Sequence, residues 1–211
     1  RCVDPFHVVQ WAMEALDEVR REVWREAYAE FTRLSKEHPR KKGRPKDRDP
    51  ESAMLNAARA KADEIKNSAY ALGKAPENLT ENQQNRVTMI AENNNRLYRA
   101  YRMKEMLRLL LKIKDTDEAE DALKRWLWWA SHSRIDAFKE LYLKIKRHRE
   151  HILNAIRLGM SNARIEATNN KIKLIVRKAY GFRNIQNMLD MVYLVCSDLR
   201  VPLPNRKTKC T

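Results

Sequence analysis

Apolar residues recur every three or four positions through nearly all of this chain, and that period fits helices rather than strands. The first stripe is Val9, Ala12, Leu16, Val19, Val23, Ala27, Phe31 and Leu34. Asp4-Pro5 stands ahead of it, a capping side chain followed by a residue that needs no N–H. A long helix is therefore expected from Pro5 to about residue 36. Arg1-Cys2-Val3 is compatible with the end of a strand before it. Only 4 Gly and 7 Pro occur in 211 residues, and few stretches alternate with period two. The expected fold class is mainly all-α.

Residues 36–50 interrupt the pattern with three prolines, one glycine and seven Lys and Arg. This composition predicts a loop, either a solvated linker or a Gly-Arg-Pro arm of the minor-groove kind. A second helix is expected over about 51–72, ended by Gly73 and Pro76. Thr80-Glu-Asn-Gln83 has the capping-box pattern and opens a third, which stops at or runs through Asn93-Asn94-Asn95. Leu97, Tyr101, Met106 and the run 107–111 belong to a helix ending near Lys114. Asp115 or Thr116 caps the next, with Ala119, Ala122, Leu123, Trp126, Leu127 and Ala130 inward. Ser133 is expected to cap a helix from Ile135 that continues through Ile152 and Ile156 toward Gly159. A last helix runs from about 184 to 199 and is stopped by Val201-Pro-Leu-Pro204. No internal repeat is evident.

The formal net charge is +15 and the isoelectric point about 9.9. So one-sided a balance calls for a polyanionic partner, DNA or RNA ahead of a membrane surface. No run of about 20 apolar residues predicts a membrane span, and no signal peptide is evident. Cys2, Cys196 and Cys210 form neither a CxxC pair nor a disulfide framework, which suits a reducing cytosol. There is no Gly-rich phosphate loop, nucleophile elbow or zinc signature. The absence of an initiator Met suggests a piece of a longer protein.

The stretch from Ser161 to Arg183 carries the most chemistry. Ser161 or Asn162 caps its start and Gly181 sits where it would stop. Ile165, Thr168, Ile172, Ile175, Val176 and Ala179 form an inward stripe. Glu166, Asn170, Lys173, Arg177 and Tyr180 share another face. An ordinary surface helix also places its acid first and its cations last. The adjacent amides Asn169 and Asn170 are poor helix formers, however, and the face is basic apart from Glu166. A lone carboxylate among cations suits a metal ligand beside a phosphate backbone, with the remaining ligands supplied from elsewhere. From residue 161 onward, ten Lys and Arg stand against three Asp and Glu.

Asp4 and His7 form an Asp-x-x-His pair at the first helix start, open to a functional role or to a local one with Asp4 as N-cap and His7 packing near Trp11. His148 and His151 are spaced to share a metal, but their neighbours are Lys and Arg, so surface histidines are expected. Trp126, Trp128 and Trp129 cannot all face one core. Packing is the favoured reading over a base-stacking platform.

Several of these phrases together resemble one family. Asp4-Pro-Phe-His-Val-Val with Ala15-Leu-Asp-Glu-Val-Arg-Arg21, Ala75-Pro-Glu-Asn-Leu-Thr80, and Ser161-Asn-Ala-Arg-Ile-Glu-Ala-Thr-Asn-Asn-Lys-Ile-Lys with Arg177-Lys-Ala-Tyr-Gly-Phe-Arg-Asn184 are similar to segments of bacterial insertion-sequence transposases of the ISL3 type. Ala163 stands where the family more often has Gly, and Thr168 precedes the paired Asn. The resemblance spans nearly the whole chain. It implies a DDE transposase with a ribonuclease-H-like domain, most of whose β core is missing here. Residues 1–35 would be the end of a core strand and a long helix, 36–160 a helical insertion, and 161–211 the Glu-bearing and C-terminal helices. Glu166 would be the last carboxylate of the Asp-Asp-Glu set, and Asp4 and His7 a family signature. The two catalytic Asp would lie upstream, so this chain alone should not cleave DNA. In the whole enzyme, carboxylates would hold two Mg²⁺ or Mn²⁺ ions for strand cleavage and transfer. Arg164, Asn169, Asn170, Lys171, Lys173, Arg177, Lys178 and Arg183 would meet DNA. The resemblance also implies a bacterial cytoplasmic protein acting on transposon ends and target, with self-association expected through uncovered apolar surface. Two other readings stand beside it: a non-catalytic basic helical module for DNA or RNA, and a helical scaffold whose charge is incidental.

Overall fold

The computed structural model describes residues 2–38, 50–159 and 162–197, with the backbone alone for 162–166. Among these residues every regular element is a helix and no strand occurs, so the fold is mainly all-α. Most of the expected basic loop, the Ser161 cap, the stop at 201–204 and Cys210 lie outside the described residues. The chain divides into two compact units, Arg1–Met160 and Ser161–Thr211.

The first unit is organised around helix α1, Pro5–Glu37. Asp4 caps it, its Oδ1 accepting the Phe6 N–H at 3.0 Å, and Pro5 occupies the first helical position. The buried stripe begins at Val8 rather than Val9, and runs through Ala12, Ala15, Leu16, Val19, Val23 and Ala27. Phe31 and Leu34 are only half-buried. Residues 2–4 form no strand; the Val3 N–H instead donates to His151 O at 3.1 Å.

Helix α2, Pro50–Asn67, lies along α1 and buries Leu55, Ala62 and Ile65. The single helix expected over 51–72 is interrupted at Ser68. That residue is fully buried, and its N–H and Oγ both turn back to Ile65 O, at 3.3 and 2.7 Å. This three-residue step competes with the regular ladder. The short α3, Ala69–Gly73, follows. Beyond a single 3₁₀ turn at Pro76–Asn78, α4 spans Glu81–Asn93. Its Thr80–Gln83 capping box is present. Asn94 ends α4 and starts α5, Asn95–Leu110: its N–H donates to Ile90 O while its Oδ1 accepts the Leu97 N–H. Of the two continuations open in the sequence, the stop is the one observed.

Helix α6, Thr116–Ser131, is capped by Asp115, whose Oδ1 accepts the N–H groups of Asp117 and Glu118 at 2.9 Å each. Trp126 is fully buried, and its Nε1–H donates to Met103 O at 2.8 Å. The helix expected from Ile135 toward Gly159 is two, α7 at Asp136–Arg147 and α8 at Arg149–Arg157, with His148 between them. Ser133 is not the N-cap of α7, a position held by Ile135. Ser133 is buried in the turn, donating to Ala130 O at 2.8 Å and accepting the Ile135 N–H at 3.2 Å. Helices α2, α5 and α7 pack against α1. Each large aliphatic side chain buried there contributes about 1.5–3 kcal/mol.

One part of this core is ionic. Lys104, 1% exposed, and Glu105 form a buried pair. Arg108 Nε donates to the second Glu105 oxygen at 2.8 Å, and its two terminal nitrogens bridge both Glu77 oxygens at 2.8 and 2.9 Å. Burial holds the Lys104 ammonium below its ordinary pKa, and pushes the Tyr101 phenol beside it up to about 12.

In the second unit, α9, Asn162–Lys178, packs with α10, Ile185–Cys196. Helix α9 closes through two bonds, Gly181 N–H to Val176 O at 3.0 Å and Tyr180 N–H to Arg177 O at 3.1 Å. These define a Schellman motif, and the left-handed C′ residue is Tyr180 (φ 51°) rather than the expected Gly181 (φ 94°). Of the expected inward stripe, Ile175 is buried, and Ile172 and Val176 are half-buried. Thr168 and Ala179 are exposed.

Candidate nucleic-acid interface

Helix α9 sets out a row of polar side chains. Asn170, Lys173, Arg177 and Tyr180 follow one another at one-turn spacing and all are exposed. Asn169, Lys171, Lys178 and Arg183 are exposed as well. Arg164 and Glu166 lie in the first turns of the same helix, in the segment described by backbone alone. The backbone places Glu166 one turn before Asn170. Tyr180 projects fully into solvent from a left-handed residue, a conformation that costs a non-glycine residue about 1 kcal/mol.

Asp4 and His7 are accounted for locally. Asp4 is a working N-cap, although its bond goes to the second helical N–H rather than the third, and its Oδ2 is buried without a hydrogen-bond partner. His7 is exposed and sits edge-on to Phe6 at 5.9 Å. Trp11 packs instead with His148 (5.8 Å), beneath Lys144 Nζ at 4.1 Å. His148 and His151 are half-buried rather than on the surface, with ring centres 6.0 Å apart. Among the described residues no group of three His, Cys, Asp or Glu is placed to hold a metal ion.

Sequence reasoning passed over a second basic feature. The junction of α7 and α8 with α6 forms a groove of about 730 Å³, lined by Glu120, Lys146, Arg147, Arg149, His151 and Arg157 among others. Lys124 and Arg149 hold the Glu120 carboxyl below its ordinary pKa. That pairing consumes Arg149. Lys146, Arg147 and Arg157 form no ion pair among the described residues and remain exposed, and Glu150 is the one further carboxylate lining the groove, so it keeps a net positive charge of the kind that tracks a phosphate backbone. Its signal was the run Lys144-Ile-Lys-Arg-His-Arg149, which registered only as the setting of two histidines.

A family model described as transposase matches residues 1–192. The transposase for insertion sequence element IS1557 of Mycobacterium tuberculosis (strain CDC 1551 / Oshkosh) is 42% identical over 207 residues, covering 98% of this chain and 45% of the relative. The IS1557 transposase of strain ATCC 25618 / H37Rv matches equally. The transposase for IS1001 of Bordetella parapertussis is 29% identical over 120 residues, 57% of this chain and 30% of that protein. The chain thus spans under half the length of these relatives. No solved structure matches.

Proposed function

Because the chain belongs to the ISL3-type family of DDE transposases, we propose that it works within an enzyme that cuts and joins DNA phosphodiesters at insertion-sequence ends. In this reading Glu166 supplies the last carboxylate of the catalytic set. The helical region 36–160 is an insertion into a ribonuclease-H-like domain, and Asp4 and His7 mark the end of the core before it. The observation that carries the reading is the α9 row: Asn170, Lys173 and Arg177 follow Glu166 at one-turn spacing and are open to a phosphate backbone.

The described residues do not by themselves fit a divalent ion, since no cluster of three donors forms among them. Glu166 would serve only together with carboxylates from outside this chain. When bound, such ions activate the attacking oxygen and stabilise the leaving one. The residues of this chain have the complementary task. Lys173 and Arg177 neutralise phosphates flanking the scissile bond, and Asn169 and Asn170 supply amide donors and acceptors along the strand. No described helix is long and apolar enough to cross a membrane, and DNA is the proposed partner. Self-association belongs to the same reading, because α10 leaves Ile185, Tyr193 and Leu194 exposed.

The test is Mg²⁺- or Mn²⁺-dependent cleavage of insertion-sequence end DNA by the whole protein, with Glu166→Gln alongside. Cleavage is expected to vanish while DNA binding persists. Unchanged cleavage would remove Glu166 from the catalytic set and leave a basic helical binding module.

A further inference from the structure

The three tryptophans of α6 have different fates. Trp126 is fully buried, Trp129 is partly buried with the Arg102 guanidinium 6.0 Å from its ring, and Trp128 is 66% exposed. An indole left in water forgoes a large burial energy, so its position needs a reason. Trp128 is also held in place. The His132 ring stacks on it at 4.8 Å and 26°. His132 Nδ1 lies 2.8 Å from Trp128 O and 2.9 Å from Ser131 Oγ, and that hydroxyl donates to Trp128 O at 2.8 Å. A carbonyl can only accept, so the proton on this side belongs to Nδ1. Backbone and side chain together fix a two-ring stack at the end of α6.

We propose that Trp128 and His132 form a stacking platform for one unpaired nucleobase of the DNA this chain binds. Every base has a π face, so such a platform is indifferent to sequence and contributes through stacking. A base laid on the open indole face extends a stack already ordered, so little side-chain freedom is lost on binding. The charge around it is suitable. Arg125 lies one turn back on the same face of α6, exposed and without an ion pair among the described residues, while Lys124 beside it is engaged by Glu120 and Asp121. Arg125 is thus the cation available for the phosphate of the stacked nucleotide. A duplex with every base paired offers no free π face, so the platform distinguishes an unpaired base from a paired one. The inference rests on the DNA reading above.

The experiment uses this chain with a short duplex, either fully paired or carrying one extra unpaired 2-aminopurine. The chain is expected to bind the second about tenfold more tightly and to quench the probe's emission. Trp128→Ala should lose that preference and the quenching, with its binding to paired duplex and its melting temperature unchanged. Trp128→Phe should keep part of both. Binding to both duplexes without preference would overturn the platform and spare the DNA reading. Retention of the preference in Trp128→Ala would also overturn it, as would an equal loss of affinity for both duplexes. Absence of binding to either duplex would overturn both readings.

Discussion

At Glu105 two cations share one carboxylate, Lys104 on one oxygen and Arg108 on the other, inside the core. Removing the acid would leave the Lys104 ammonium, which has almost no access to water, with Lys74 O at 3.3 Å as a hydrogen-bond acceptor and the Tyr101 ring at 4.8 Å. Glu105→Ala should therefore cost about 3–5 kcal/mol, as stranding a buried charge does. Adding Lys104→Met should recover much of that loss, because the stranded charge goes with it. Urea titration at neutral pH gives both values. Glu77, at the exposed end of the same network, makes a prediction in pH. Its own backbone N–H and then the Arg108 guanidinium hold its carboxyl below the ordinary value of 4.5. The folded pKa lies below the unfolded one, so this contribution is complete above about 4.5 and is lost as pH falls through the folded pKa. Glu77→Gln should flatten stability against pH in that acid window while leaving Arg108 a weaker acceptor. An equally steep acid decline in the variant would show that other carboxylates govern it. Glu77 sits in the Ala75–Thr80 phrase that helped carry the family resemblance, and here it fixes a turn against α5.

The helix ends show what a sequence can and cannot disclose. Caps were legible at Asp4, at Thr80 with Gln83 and at Asp115, where a capping residue stands directly ahead of an apolar stripe; the caps at Asn94 and Asn184 were not, because each lies among other polar residues. The breaks at Ser68 and His148 were not, because apolar periodicity runs through both and only packing against other helices selects a new axis. In α1 the expected stripe holds from Ala12 to Ala27, and only its first member differs, Val8 being inward in place of Val9. Of the candidate interface, the exposed row on α9 was legible from i, i+4 spacing, whereas the groove beside α8 needs three helices brought together. The end of α9 was misplaced by one residue, and the error is informative. Gly181 invites the left-handed position, yet Tyr180 takes it. Tyr180→Gly should stabilise the second unit by about 1 kcal/mol by relieving a side chain there. If Tyr180 meets DNA, the same change weakens binding as it raises stability. A melting curve and a binding isotherm on one variant separate the two effects, and unchanged affinity would assign Tyr180 to helix termination alone.

For the molecule as a whole, a net charge of +15 is divided between two units, and the question is which of them holds DNA. Two basic surfaces are available, the α9 row in the second unit and the α8 groove in the first. Salt dependence distinguishes them, because each phosphate contact releases condensed counterions. The logarithm of the affinity then falls against the logarithm of salt with a slope of about −0.9 per contact on duplex DNA. Removing a cation that touches phosphate must lower that slope by about one, whatever the sequence bound. Lys146, Arg147 and Arg157 are exposed and carry no ion pair among the described residues, so replacing all three by Ala should leave the fold intact. If the groove tracks the backbone, the slope should shallow by about two to three. The pair Lys173→Ala and Arg177→Ala should shallow it by about two if α9 does. Equilibrium titrations at several salt concentrations with one duplex give both numbers. A changed slope in both variants means that both units engage one DNA. A change in only the α9 pair confines the contact to the helix bearing Glu166. No change in either would detach the positive charge from phosphate binding, in favour of a scaffold whose basicity is incidental.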